Sequence, residues 1–219
     1  ATRLALVMGT TPGNDTRLYE EKIAGYRNFV NKIWNIARFI LTRSESTNEH
    51  PNYTNKNSGH SDAIRVIRVA TLSDQWIQSR LQNLIFDVTG HFEKYEFSPA
   101  GEKIYDFLWH ELADWYVEIS KTQDHTLAPQ ILLEAIKLLH PFTPFVTEHI
   151  FQLLKKSGLI KSDDKFLAIA AWQKIETPRR YVGASLQNKK IAIDFGVIQQ
   201  LITTLRDLRS THNLPYSEK

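Results

Sequence analysis

Residues 18–43 have the sequence LYEEKIAGYRNFVNKIWNIARFILTR, in which apolar side chains recur at the spacing of an α-helix. At about 100° per residue, one arc of such a helix is apolar and the opposite arc is polar and basic. The pattern therefore predicts a long amphipathic helix that packs one side against a core. The apolar arc consists of Ile23, Tyr26, Phe29, Val30, Ile33, Trp34, Ile36, Ala37, Ile40 and Leu41.

Two further long amphipathic helices are predicted in the middle of the chain. The first begins at Ser73, whose hydroxyl can cap its N-terminus, and its apolar stripe reaches Tyr95. The second begins at Ser98, has Pro99 at its first position, and extends its stripe to Ile119.

Two shorter helices follow. Pro129 precedes a helical pattern over residues 131–140, and a second pattern over residues 146–156 is closed by Gly158. Each of these helices has an apolar stripe that needs a partner. The sequence therefore predicts an all-α fold, a helical bundle, in preference to any fold built on a sheet.

The predicted bundle covers residues 1–160, with a mobile connection over residues 44–62, where Ser, Asn, Thr and Glu are frequent. Residues 161–219 are predicted to form a small C-terminal appendage. Within it, residues 166–172 and 190–195 have the pattern of short strands, and an amphipathic helix follows them.

Composition excludes several classes of site. The chain has 219 residues, of which 42% are hydrophobic, so it can bury a core. It has no Cys, which excludes disulfides, thiolate metal sites and thiol nucleophiles, and fits a reducing compartment such as the cytoplasm. No apolar run reaches the length of a membrane span, and no signal peptide is recognisable. The start at Ala1 is typical of a segment from within a longer protein.

Positive charge is concentrated near the N-terminus. The first 43 residues contain seven Lys and Arg against three Asp and Glu, whereas the remaining residues contain 20 against 21. A local concentration of basic residues indicates a polyanionic partner better than the net charge of the whole chain does. An ordinary solvated basic helix would give the same count.

The polar arc of the first helix carries one aromatic residue, Phe39. Single-stranded nucleic acid stacks its bases on such rings, while Arg and Lys neutralise phosphates and Asn side chains hydrogen-bond to base edges. We therefore predict a nucleic-acid interface here, with the alternative that Phe39 packs against another helix. The other residues of the arc are Arg27, Asn28, Asn31, Lys32, Asn35, Arg38 and Thr42.

Four segments resemble the anticodon-binding region of valyl-tRNA synthetases. Residues 25–39, GYRNFVNKIWNIARF, resemble the first anticodon-domain helix of that family. The similarity continues in DQWIQSRL at 74–81, WHELADWYVEISK at 109–121 and LLHPFTPFVTE at 138–148. The order of these segments is that of the family. His149 and Phe151 depart from the family pattern, which usually has Glu and Trp there.

This resemblance implies a function for the whole parent enzyme. A class I synthetase of this kind uses ATP and Mg²⁺ to attach valine to tRNA(Val), and its first helix contacts the anticodon through the positions of Lys32, Arg38 and Phe39. The implied partners are the tRNA(Val) anticodon arm and the catalytic domains of the same polypeptide. Neither a His-Ile-Gly-His nor a Lys-Met-Ser-Lys-Ser signature occurs in these 219 residues. We therefore expect no catalytic residue, no metal site and no cofactor here.

Other interpretations remain open. The resemblance also admits an isoleucyl or leucyl synthetase, and a helical scaffold could bind a protein through the same arc. The stretch from His110 and Glu111 to Asp114 imitates part of a zinc-protease signature, but Asp stands where the second His is required. His140 is interpreted as the cap of a helix end.

Overall fold

The computed structural model describes residues 1–10, 17–48, 71–122, 127–172 and 182–212. Within those ranges the chain forms helices and connecting loops, and no β-strand occurs among them. The predicted all-α fold class is confirmed. None of the helices described there is both long and apolar enough to cross a lipid bilayer.

The first two helices are α1 (Thr2–Val7) and α2 (Glu20–Asn48). The predicted end of α2 is wrong, because the helix continues five residues beyond 43 into the segment assigned to a connection. The rest of that predicted connection lies outside the described residues. Five members of the apolar arc of α2 are buried and the others are partly buried. The buried ones are Phe29, Ile33, Ile36, Ala37 and Ile40.

Helix α3 (Leu72–Glu93) begins with a capping box. The Thr71 hydroxyl accepts from the backbone N–H of Asp74, and the Asp74 carboxylate accepts from the backbone N–H of Thr71, both at 3.2 Å. The predicted cap, Ser73, is therefore wrong by two residues. The other oxygen of Asp74 accepts a 2.7 Å hydrogen bond from the Tyr116 hydroxyl, which ties the start of α3 to a helix much later in the chain.

A tight turn separates α3 from α4 (Phe97–Asp106). Tyr95 has φ 60°, and the backbone N–H groups of Tyr95 and Glu96 bond back to Phe92 and His91 at 3.0 and 2.8 Å. This is the hydrogen-bond pattern of a Schellman C-cap, with Tyr in the left-handed position that Gly usually occupies. Because α4 starts at Phe97, Pro99 is its third residue and not its first.

Helix α4 continues without a break into a π-helical segment, Phe107–Val117, and the short α5 (Glu118–Ser120). The predicted single α-helix to Ile119 is therefore correct in extent and wrong in helix type. A π-helix closes each hydrogen bond over five residues, so residues five apart come close to one face. In an α-helix the same pair would stand about 140° apart.

The two shorter predicted helices are α6 (Ala128–Leu139) and α7 (Pro144–Lys156), which begin three and two residues earlier than the patterns and pack together as a hairpin. A second Schellman turn follows α7, with Gly158 at φ 72° in its left-handed position. The loop of the hairpin places Phe142 against Gly101, where Met8 also packs.

Helix α8 (Val182–Thr211) replaces one of the predicted strands, because residues 190–195 lie inside it. It packs on α3 through Phe195, whose ring stacks on Trp76 with centroids 4.1 Å apart. The other predicted strand, residues 166–172, contains a single 3₁₀ turn, Leu167–Ile169. Both strand predictions are therefore wrong.

Candidate nucleic-acid interface

The polar arc of α2 faces solvent along most of its length. Arg27, Asn28, Asn31, Asn35 and Arg38 are all exposed, as their phase opposite the buried arc requires. Among the described residues, the side chains of Arg27 and Arg38 form no ion pair. These two cations and three amides are therefore available to a ligand that approaches α2 from outside.

Lys32 belongs to the same arc but is held against the neighbouring helix. Its ammonium Nζ lies 2.6 Å from Oδ1 of Asp114 and 4.2 Å from the centroid of the Trp109 ring. Both partners are in the π-helical segment. The charge of Lys32 is thus paired within the protein, unlike the charges of Arg27 and Arg38.

Phe39 is half-buried and packs against the hydrophobic core cluster. On the helical wheel it lies at the edge of the polar arc on the same side as Lys32. The alternative of an inward-packed ring is therefore correct in part, since only a portion of the ring faces solvent. Its role as a stacking platform stays a prediction.

An aromatic row forms one border of the arc. Trp109 and Tyr105 stack with centroids 5.6 Å apart, and Phe29 of α2 packs on Tyr105 at 4.5 Å. Tyr26 meets Tyr105 edge-on at 6.5 Å. The residue numbers of contacting pairs increase together along the two elements, from Tyr26 with Tyr105 to Phe29 with Trp109. Helix α2 therefore runs parallel to α4 and the π-helical segment.

The other border is formed by α7. The indole of Trp34 stacks on the His149 ring, with centroids 5.4 Å apart. Trp34 is therefore only partly buried, and His149 takes a packing role at the position where it departs from the family pattern. Arg38, four residues after Trp34, lies next to this contact on the helical wheel.

A cavity of about 500 Å³ lies beyond the aromatic row, between α1, α2 and α4. Burial raises the pKa of Tyr26, and the negative charge of Glu102 raises it further. Burial also raises the pKa of Tyr105, with a smaller contribution from the charge of Asp106. Both hydroxyls therefore stay protonated as hydrogen-bond donors near neutral pH. The lining residues are Met8, Lys22, Gly25, Tyr26, Glu102, Tyr105 and Asp106.

The zinc-protease-like stretch has other contacts. Glu111 forms a bidentate pair with Arg80, and Asp114 pairs with Lys32. In the part of the chain that the structure describes, no three His, Asp or Glu side chains come together as metal ligands. Glu111 and Asp114 thus connect the π-helical segment to α3 and α2.

Sequence reasoning did not find Asp114 and Trp109 as members of this interface. They lie 82 and 77 positions beyond Lys32, and the α-helical wheel places them on different faces. Only the π-helical register brings both to the same ammonium. The available signal was the density of aromatic residues in this stretch, which includes Tyr105, Trp109 and Trp115 and is equally typical of core packing.

The comparisons with known proteins agree with this fold. The model of the family described as "Anticodon-binding domain of tRNA ligase" matches residues 74–219. The chain belongs to this anticodon-binding domain family. The matched region includes α3 to α8, so the family assignment rests on the bundle and not on the arc of α2.

Valine–tRNA ligases are similar to this anticodon-binding domain over all or nearly all of its length. The valine–tRNA ligases of Clostridium acetobutylicum and Clostridium tetani are 33% and 32% identical over 230 residues, covering 100% of the chain. That of Carboxydothermus hydrogenoformans is 33% identical over 227 residues, covering 99%. The chain spans 23% of the length of each of these relatives.

Proposed function

We propose that this anticodon-binding domain binds the anticodon arm of tRNA(Val) through the exposed arc of α2. The observation that supports this proposal is the combination of Arg27 and Arg38, two cations with no ion pair to any described residue, with three exposed Asn side chains on one helical face. The half-buried Phe39 lies at the edge of this face. Guanidinium groups neutralise phosphates, and amides hydrogen-bond to the edges of unpaired bases.

The valine identity of the tRNA rests on similarity to valine–tRNA ligases that include the whole chain. The whole protein would use ATP and Mg²⁺ to attach valine to tRNA(Val), and catalytic domains of the same polypeptide would carry out that reaction. The whole protein would function in the cytoplasm. Because the two catalytic signatures do not occur in these 219 residues, we expect no aminoacylation by this chain alone.

The roles of Arg38 and Phe39 can be tested with an RNA stem-loop that carries a valine anticodon. Arg38→Ala removes a phosphate contact and should weaken binding with a shallower salt dependence. Phe39→Leu keeps an apolar side chain against the core but removes the aromatic face. If a base stacks on Phe39, this change should cost about 1–3 kcal/mol of binding free energy. Fluorescence anisotropy titrations would measure both effects.

Lys190→Ala is the matched control for charge. Lys190 is exposed on α8, a helix whose main packing partner is α3. Its removal lowers the net charge by the same amount as Arg38→Ala and should change affinity little. Equal losses for Lys190→Ala and Arg38→Ala would mean that the chain attracts RNA only through its overall charge. Unchanged affinity in Phe39→Leu would remove the ring from the interface.

A further inference from the structure

Lys32 differs from the other cations of the α2 arc because a carboxylate already neutralises it. Its Nζ atom lies 2.6 Å from Oδ1 of Asp114 and above the Trp109 ring. The side chains of Lys32 and Asp114 are 28% and 44% exposed, so a ligand on the arc can reach both. Arg27 and Arg38 form no ion pair within the described part of the chain.

The backbone of the π-helical segment builds this arrangement. Trp109 and Asp114 are five residues apart, which the π-helical register places near one face. Parallel packing then carries α2 past them, from the contact of Phe29 with Trp109 to that of Lys32 with Asp114. The carboxylate is therefore held in place by the helix and does not depend on a flexible loop.

Other charged groups near Asp114 leave the pair with Lys32 intact. Nδ1 of His110 lies 3.6 Å from Oδ2 of Asp114, on the opposite oxygen from Lys32. Glu111, the neighbouring carboxylate on this segment, is bound by Arg80 of α3. Asp114 is thus the carboxylate in this cluster that faces α2.

We propose that Asp114 is a specificity-determining residue that limits the attraction of Lys32 for phosphate. Phosphate contacts strengthen binding to every RNA alike, whereas base contacts distinguish one sequence from another. With Asp114 in place, Lys32 contributes little long-range attraction. The ammonium has three protons, and those not donated to Asp114 can still reach the acceptor atoms of a base. This inference rests on the proposed function of the α2 arc.

Asp114→Asn tests the inference, because the amide oxygen can still accept from Lys32 while the negative charge is removed. With the 219-residue chain and RNA stem-loops, we expect roughly two- to fivefold tighter binding at about 50 mM salt. The plot of log affinity against log salt should steepen by about 0.7, the value for one added phosphate contact on a single strand. The affinity ratio between a valine anticodon and an unrelated anticodon should fall.

Two variants serve as controls. Glu118→Gln removes an exposed carboxylate one turn further on, which pairs with Lys121 at the end of the same helix, just after Ser120, and should leave the salt slope and the affinity ratio unchanged. In the double variant Lys32→Ala with Asp114→Asn, the steeper slope should disappear. If Asp114→Asn does not fold, Lys32→Ala carries the test, since it should change the slope less than Arg38→Ala does.

Several results would overturn the inference. An unchanged slope in Asp114→Asn would show that the carboxylate does not restrain Lys32. Weaker binding would show that Asp114 itself contacts the RNA or only supports the fold. A change equal to that of Glu118→Gln would indicate a general charge effect. If the unaltered chain does not bind the stem-loop, the proposed function fails and this inference fails with it.

Discussion

At the scale of single residues, Lys32 and Arg38 show what a helical wheel can and cannot predict. The wheel places both on the polar arc, and the structure agrees for Arg38, which is exposed. For Lys32 it predicts the phase but not the ion pair with Asp114, because that partner is distant in sequence. The state of a charge therefore depends on tertiary contacts that periodicity does not describe.

His140 gives a prediction about pH at the same scale. Burial, opposed in part by Glu148, lowers its pKa below the ordinary value of 6.5. The folded state therefore disfavours the protonated ring, so the contribution of His140 to stability is fully present above pH 6.5 and is lost as the pH falls through the folded pKa. Nδ1 of His140 lies 2.8 Å from the Thr147 hydroxyl, a contact that a Gln amide can also make.

His140→Gln should therefore reduce the loss of stability on acidification. Urea unfolding at about pH 7.5 and about pH 5.5 would measure it, with the unaltered chain losing more free energy of unfolding than the variant. A comparison of the same two chains at about pH 7.5 and about pH 8.5 supplies the control, because the His140 ring is neutral at both and the two chains should then respond alike. Identical losses in the His140 variant and the unaltered chain would contradict the assignment.

At the scale of elements, the amphipathic patterns predicted the helices well and their ends less well. Helix α2 extends to Asn48, through a polar stretch of sequence that apolar periodicity does not mark as helical. The start of α3 is set by the reciprocal hydrogen bonds of Thr71 and Asp74, a capping box whose N-cap lies two residues before the predicted Ser73 cap. The π-helical segment has no signal in α-helical periodicity.

Alanine substitutions at two helical glycines should have opposite effects on the stability of the chain. A Cβ added at Gly25 of α2 would meet no atom within 4 Å, whereas one at Gly101 of α4 would lie 2.3 Å from the Met8 sulfur and 3.3 Å from the Phe142 ring. Gly25→Ala should therefore stabilise the chain by about 0.5–1 kcal/mol through the loss of unfolded-state entropy. Gly101→Ala should destabilise it by about 1 kcal/mol, because overpacking outweighs the same gain.

Thermal or urea unfolding of the two glycine variants measures this pair directly. The comparison is internally matched, because both substitutions add one methyl group to a helix. A stabilised Gly101→Ala would mean that Met8 and Phe142 move aside at little cost. A destabilised Gly25→Ala would mean that the mouth of the cavity beside Tyr26 is closed in solution.

At the scale of the whole molecule, the sequence was sufficient for the bundle and insufficient for its C-terminal part. The bundle is predictable because each long helix has a continuous apolar stripe that only another helix can cover. Residues 190–195 alternate in a way that also suits a strand, and the contact that decides for α8 is the stacking of Phe195 on Trp76. That contact joins positions more than a hundred residues apart.

The packing of the whole bundle leaves the polar arc of α2 accessible to a ligand. Helix α2 packs its apolar side on α6, α7 and the π-helical segment, and these neighbours border the arc without covering it. The aromatic row lies along one border and the stack of Trp34 on His149 along the other. The packing of the bundle therefore leaves one face of α2 exposed.

The most direct test of the central claim is the affinity of the 219-residue chain for a valine-anticodon stem-loop, compared with the same stem carrying a different anticodon. Measured at about 50 mM and about 200 mM salt, the two affinities should both fall with salt, and the valine loop should remain the tighter ligand. Arg38→Ala should weaken binding to both loops. Equal affinities for the two loops in the unaltered chain, at both salt concentrations, would contradict recognition of the anticodon by α2.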